Sequence, residues 1–220
     1  MTRIRTAVFP VAGQGTRMLP ATKVLPKEML PVVDKPVIQY AFEEAAAAGV
    51  ERFVFVTGRG KVLIEDHFDR AYELFDTLQR KEKTAQLEEL EAAVPVAGEV
   101  IYTRQQQPLG LGHAVWCARH VVGDEAFAVL LVDELLLNDP PPLVDLCRLF
   151  EKTQGNLISV VEVPAEQTSR YGIIATGKED GELIEVTGMV EKPKPEDAPS
   201  RLSIIGRYIL LPQVFDHLAK

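Results

Sequence analysis

At 220 residues, 46% hydrophobic and 25% charged, the chain has ordinary globular composition and length for a full core, which argues against a disordered polypeptide. A net charge of −8 and a pI near 5.1 argue against a general nucleic-acid binder, which needs a basic face. No stretch approaches the roughly 18 apolar residues of a membrane span, and the N-terminal apolar run is too short and too early for a signal peptide.

The apolar run at 5–11 reads as a buried first strand, and it empties into a glycine-bearing, cationic loop from Val11 to Pro31. Asp34-Lys35-Pro36 opens a helix whose face is Val37, Ile38, Ala41, Phe42, Ala45 and Ala48, with Gly49 as its left-handed stop. Phe53-Val54-Phe55-Val56 is continuously apolar, as a parallel strand covered on both faces requires, so the unit implies a right-handed crossover. Thr57-Gly58-Arg59-Gly60-Lys61 reads as a turn into one long charged helix over 62–93, half solvated or facing another subunit. Pro95 and Gly98 end it, and Val100-Ile101-Tyr102 is the third strand. Gly110-Leu111-Gly112 opens a further helix, 127–132 is a fourth buried strand ending in Asp133-Glu134, and Leu143 to Phe150 is helical. Beyond Asn156 the pattern changes to short strands at 157–163, 171–176, 182–190 and 203–211, which implies antiparallel or mixed pairing appended to a parallel half. The expectation is an α/β fold, a three-layer α/β/α sandwich with a mixed, mostly parallel Rossmann-like sheet. It forms one domain over 1–220, in two halves, 1–155 and 156–220. Cys117 and Cys147 show neither Cys-x-x-Cys nor metal spacing, and read as reduced thiols of a cytoplasmic protein.

Gly13-Gln14-Gly15-Thr16-Arg17 resembles the start of a dinucleotide fingerprint, but Met18 occupies the third glycine position and no Gly-Lys-Ser/Thr is present. On the glycines alone, an ordinary turn with a surface arginine accounts for the pattern. Lys27 shifts the balance. Prolines at 26 and 31 restrict the backbone around it, Arg17 offers a fork for two phosphate oxygens, and the two cations together suit a triphosphate. Lys23 reads as solvated.

Val11 to Pro31 resembles the signature loop of the sugar-1-phosphate nucleotidylyltransferases, and Lys-Glu-Met-Leu-Pro points to the bacterial UTP–glucose-1-phosphate uridylyltransferases among them. Arg104-Gln105, Gly110-Leu111-Gly112-His113-Ala114, Tyr171-Gly172, Val190-Glu191-Lys192-Pro193 and Gly206-Arg207-Tyr208 follow at family-like spacing across nearly the whole chain. The resemblance implies transfer of UMP from UTP to glucose 1-phosphate, giving UDP-glucose and pyrophosphate, with 1–155 as the nucleotide-binding half and 156–220 as the sugar-binding half. It gives Ala12, Gly13, Gly15, Thr16 and Arg17 to the triphosphate, with Arg17 and Lys27 as the catalytic cations. Gln105 and Gly110 then meet the uracil, an amide offering both donor and acceptor to its imide face. Gly172, Glu191 and Lys192 meet the sugar and its phosphate, and Asp133 holds Mg²⁺. Each has a plain alternative: a strand-end amide, a turn aspartate, a glycine bend, a solvated Glu–Lys couple. Glu134 is a weaker metal candidate, and His113 reads as a structural residue at a helix start.

Two departures stand out. Val132 replaces the family's proline before Asp133, a minor change that keeps the carboxylate. The Gly-Asp/Glu-Glu-Ile-Gln-Leu and Asp-Cys-Gly segments, the latter carrying the family's second metal ligand, do not occur in the 220 residues. The expectation is weakened metal binding and slower turnover, with a homo-oligomer (dimer or tetramer) belonging to the full-length form. Competing readings are a thymidylyl- or other nucleotidylyltransferase, a module that binds nucleotide or sugar nucleotide without turnover, and a non-catalytic assembly subunit.

Overall fold

The computed structural model describes residues 3–219; Met1, Thr2 and Lys220, the ends of the expected domain, lie outside the described residues. The strands are β1 (Thr6–Pro10), β2 (Pro31–Val32), β3 (Lys35–Pro36), β4 (Arg52–Thr57), β5 (Val100–Arg104), β6 (Phe127–Leu130), β7 (Leu157–Glu162), β8 (Gly172–Asp180), β9 (Leu183–Glu191) and β10 (Leu202–Leu210). The α-helices are α1 (Val37–Ala47), α2 (Val62–Phe68), α3 (Tyr72–Arg80), α4 (Thr84–Ala93), α5 (Leu111–Cys117), α6 (Arg119–Val122), α7 (Pro142–Thr153) and α8 (Val214–Leu218).

One eight-stranded sheet runs through both halves in the order β5-β4-β1-β6-β10-β8-β9, with β7 also paired to β10. The first four of these strands are mutually parallel, and every pairing made by β10 or β9 is antiparallel. The change of pattern after Asn156 thus marks the change of pairing, although β8, β9 and β10, at nine residues each, are longer than the short strands expected there. Within the parallel part the chain steps outward from β1 to β4 and β5, then returns to place β6 on the other side of β1. That reversal creates a topological switch point, and a crevice opens there beyond the carboxyl ends of the strands.

The period-2 alternation of a strand sorts the core into two layers. Phe9, Phe53, Phe55 and Leu130 pack under α1, α2 and α7, through Ile38, Phe42, Ile64, Phe68, Leu143 and Phe150. Val8, Val54, Val56, Phe127 and Val129 face the opposite way, against Ala114 and Val115 of α5, Val122 of α6 and, at the margin, Phe215 of α8. Phe9, Phe55 and Phe68 stack with centroids 4.7 and 4.8 Å apart. Truncating Phe55 to alanine is a cavity-forming change worth about 3–5 kcal/mol.

Helix α1 ends as its sequence implies: Gly49 has φ +79°, its N–H donates to Ala46, and the Val50 N–H donates to Ala45, a left-handed cap of the six-to-one kind. The expected single helix over 62–93 is instead three. Asp69 is extended after α2, and α3 closes with the same hydrogen-bond pattern around Glu82, which takes φ +52° without being glycine. An unbroken helix of that length would run about 48 Å; the two breaks instead let α3 and α4 pack against each other. Phe68 and Phe75 are the anchors, and Leu63 and Tyr72 are exposed. Among the described residues no helix is long and apolar enough to cross a membrane.

Candidate active site

The loop after β1 lies over the switch point. It enters with the Val11 N–H donating to Val56, then coils through three short 3₁₀ turns at Thr16–Met18, Ala21–Lys23 and Lys27–Met29. Gly15 stands at φ +66° before the first turn; a Cβ there would lie 3.1 Å from Thr22, whose hydroxyl donates to the Gly15 carbonyl at 2.7 Å. Close packing and backbone hand both require glycine at this point. No α-helix follows the glycines, so any anion in the loop meets backbone N–H groups and cationic side chains rather than a helix N-terminus.

Lys27 and Asp133 meet across the crevice, Nζ to Oδ2 at 2.6 Å, with side chains 18% and 34% exposed. Burial pushes the Asp133 carboxyl up, but the hydrogen bond and charge of Lys27, aided by Arg17, outweigh it and hold the carboxyl below its ordinary value. Glu134 moves the other way: burial and the Asp133 charge raise it, against the pull of Arg207 and Lys27. Two adjacent carboxyls are thereby shifted in opposite directions.

Two connected compartments share Gly13, Arg17, Lys27, Leu131 and Asp133. The larger, about 800 Å³, continues past Gly15 and Thr16 to Arg170 and Tyr171 at the start of β8. The smaller, about 310 Å³, is bounded by Ala12, Gln105, Gly110 and Ala114. The structure therefore gathers the residues predicted for phosphate, base and metal around one cleft, with the cations at the junction. Lys23 is exposed and lines neither compartment.

The family described as Nucleotidyl transferase matches residues 7–220. A UTP--glucose-1-phosphate uridylyltransferase of Komagataeibacter xylinus is 50% identical over 217 residues, covering 99% of this chain and 76% of that protein. The chain belongs to this family. Among solved structures, a UDP-glucose pyrophosphorylase complexed with UDP-glucose superposes with TM-score 0.89 at 43% identity, over 99% of this chain and 80% of that one. A UTP-bound UGPase from Acinetobacter baumannii gives TM-score 0.91 at 45% identity, over 97% and 76%.

Within this uridylyltransferase fold the remaining predicted residues differ in how they are held. The Gln105 side-chain amide donates to the Gly110 carbonyl at 3.0 Å and faces His113 Nδ1 at 3.0 Å. One amide N–H is thus engaged inside the protein by the turn that opens α5. His113 stands in the first turn of α5, its ring stacked on Trp116. Gly172 pairs with Glu191 across β8 and β9, Lys192 turns at φ +49° with its N–H on the Tyr171 carbonyl, and its Nζ lies 2.9 Å from Glu191. This cluster adjoins the larger compartment through Tyr171 without lining it.

Sequence reasoning passed over two buried ion pairs behind the cleft. Lys61 Nζ reaches Glu28 Oε2 at 2.7 Å, with exposures of 7% and 1%, which explains the turn at Gly58–Lys61 as a fastening of the loop rather than a phosphate site. Arg207 and Glu44 form the second, at 2% and 5%. Arg170, which lines the larger compartment, was also passed over; no motif marks it.

Proposed function

We propose that this chain transfers UMP from UTP to glucose 1-phosphate, giving UDP-glucose and pyrophosphate. The observation that carries the reading is one cleft with the glycine loop, Arg17 and Lys27 at its junction, Gln105 at one end and a larger compartment at the other. The uracil lies in the smaller compartment, its imide N–H on the Gln105 oxygen and its ring against Gly110. The triphosphate follows Ala12, Gly13, Gly15, Thr16 and Arg17. Glucose 1-phosphate enters from the Tyr171 side, with Gly172 and Glu191 toward its hydroxyls and Lys192 toward its phosphate.

A phosphate oxygen of the sugar attacks the α-phosphorus in line and pyrophosphate departs. The nucleophile is anionic at neutral pH, so no general base is required and the work is positioning and charge neutralisation. Lys27 is the catalytic cation at the reacting phosphorus and Arg17 binds the departing pyrophosphate. Among the described residues no cluster of three or more metal-binding side chains occurs. Mg²⁺ binds through one or two carboxylates plus phosphate oxygens, which the Asp133 carboxylate beside the phosphate loop fits. When bound, Mg²⁺ neutralises charge across the phosphate oxygens, and Asp133 is the residue that would hold it.

Pyrophosphate release from UTP and glucose 1-phosphate with Mg²⁺ tests the reading; no release at high protein concentration overturns turnover. Calorimetry with UDP-glucose then separates a binding module, which binds without turnover. UTP, dTTP, ATP and GTP compared side by side test the base, since the imide contact alone does not distinguish uracil from thymine. A cytoplasmic, homo-oligomeric protein belongs to the same proposal. It is supported by the free thiols Cys117 and Cys147 and by the exposed apolar side chains Val161, Val186, Met189 and Val190 on the β7 and β9 strands.

A further inference from the structure

Gly206-Arg207 belongs to no part of the substrate cleft proposed above, yet Arg207 is among the largest fully buried side chains. It lies where the register of β10 against β7 shifts, between Ile204 and Tyr208, and such an irregularity re-aims a side chain. The guanidinium is satisfied on every side. Nε lies 3.0 Å from both Glu44 oxygens, and Nη2 donates to Glu44 Oε2 at 2.8 Å and to the Glu134 carbonyl at 3.0 Å. Nη1 donates to the Leu131 carbonyl at 2.9 Å and the Gly206 carbonyl at 3.2 Å. Glu44 is oriented in turn by the Leu143 N–H at 3.2 Å.

The two carbonyls held by Arg207, those of Leu131 and Glu134, bracket Asp133. The same turn is gripped from a second direction: the Leu131 N–H donates to the Gly206 carbonyl at 2.8 Å. Gly206 has φ +50°, and a Cβ on it would stand 2.8 Å from the Leu131 Cβ. A buried ion pair is weak evidence for stability, because an apolar replacement often serves as well. An apolar replacement would, however, leave both turn carbonyls unheld. We propose that Arg207, oriented by Glu44, is a positioning residue that fixes the Leu131–Glu134 turn and so places Asp133 opposite Lys27. The catalytic part of this inference rests on the function proposed above; the fixing of the turn does not.

Arg207→Lys is the test, since lysine keeps the charge beside Glu44 but cannot hold both carbonyls in a rigid fork. The expected result is a kcat about 10–100-fold lower, the range for partners that orient a ligand residue, with KM for UTP little changed. Hydrogen exchange should quicken at residues 131–134 and stay as in the wild type in β1 and β4. In an Asp133→Asn background the same change should cost no further activity. Equal acceleration across the sheet, losses that multiply in the double variant, or unchanged exchange at the turn would each overturn the proposal. If Arg207→Lys does not fold, Gly206→Ala displaces the same turn with the ion pair intact; wild-type kcat and exchange in that variant overturn it. If the wild type releases no pyrophosphate, the function proposed above fails, while exchange at 131–134 still decides whether Arg207 holds the turn.

Discussion

Lys27 and Glu28 are neighbours in one 3₁₀ turn, and they serve opposite sides of it. Lys27 faces the cleft and pairs with Asp133 where water reaches both. Glu28 faces inward and pairs with Lys61 where almost none does. The distances are nearly equal, 2.6 and 2.7 Å, but the surroundings differ. An accessible pair is worth about 0–1 kcal/mol and exchanges readily for an anionic ligand. A buried pair, once formed, is costly to break, because removing one partner strands a charge. The cleft therefore keeps its working charges loosely engaged, while two buried pairs behind it fasten the loops that carry them.

Lys27→Ala should break the working side alone. Turnover should fall on the order of 10³-fold or more, by analogy with lost cations at other phosphoryl-transfer sites, with unfolding stability within about 1 kcal/mol of wild type. Pyrophosphate release and urea unfolding on the same preparation check both. Lys61→Met should show the reverse division: a loss of about 3–5 kcal/mol in unfolding free energy, with the folded fraction retaining nucleotide affinity. A Lys27 variant that unfolds, or a Lys61 variant that is stable and inactive, would erase the distinction.

The same division explains what was legible in the sequence. Apolar runs and turn residues report local periodicity, so β1, β4 and β6, the left-handed cap at Gly49 and the antiparallel character beyond Asn156 could all be read. The loop could be read because its glycines, Arg17 and Lys27 lie within one short stretch. Arg207 and Glu44 are 163 residues apart, and a buried arginine carries no local mark that separates it from a solvated one. The breaks in 62–93 were hidden for a related reason: Glu82 adopts the left-handed position usually given to glycine, and only the return of α4 against α3 calls for it. The hold of the Gly110 carbonyl on the Gln105 amide likewise depends on how the turn into α5 is folded.

A smaller change sharpens the comparison at the backbone. Gly15→Ala places a Cβ at φ +66° and 3.1 Å from Thr22, with a cost of roughly 1–2 kcal/mol for the backbone hand. Because the displaced atoms carry the phosphate loop, UTP affinity by calorimetry should fall by about tenfold, which is the same energy expressed as binding. An alanine variant with wild-type affinity would show that the loop does not need this conformation to hold phosphate.

The smallest effect is the pH dependence of the accessible pair. The Asp133 carboxyl lies below its ordinary value of 3.8 in the folded protein, so the unfolded chain binds its proton more readily. Its contribution is therefore fully present above 3.8 and is lost as pH falls through the depressed folded value. Glu134 titrates with the opposite sign, because burial and the neighbouring Asp133 raise its pKa above the ordinary 4.5, so its charge disfavours the folded state as pH rises. The comparison is best made in a Glu134→Gln background, with and without Asp133→Asn. The two proteins should differ by no more than about 1 kcal/mol in urea unfolding, with the gap unchanged between pH 7 and 5 and closing only below 3.8. A gap that closes between pH 7 and 5 would mean that Lys27 does not hold the carboxylate in its ionised form, and the cleft would then lack the fixed anion on which the placement of a cation depends.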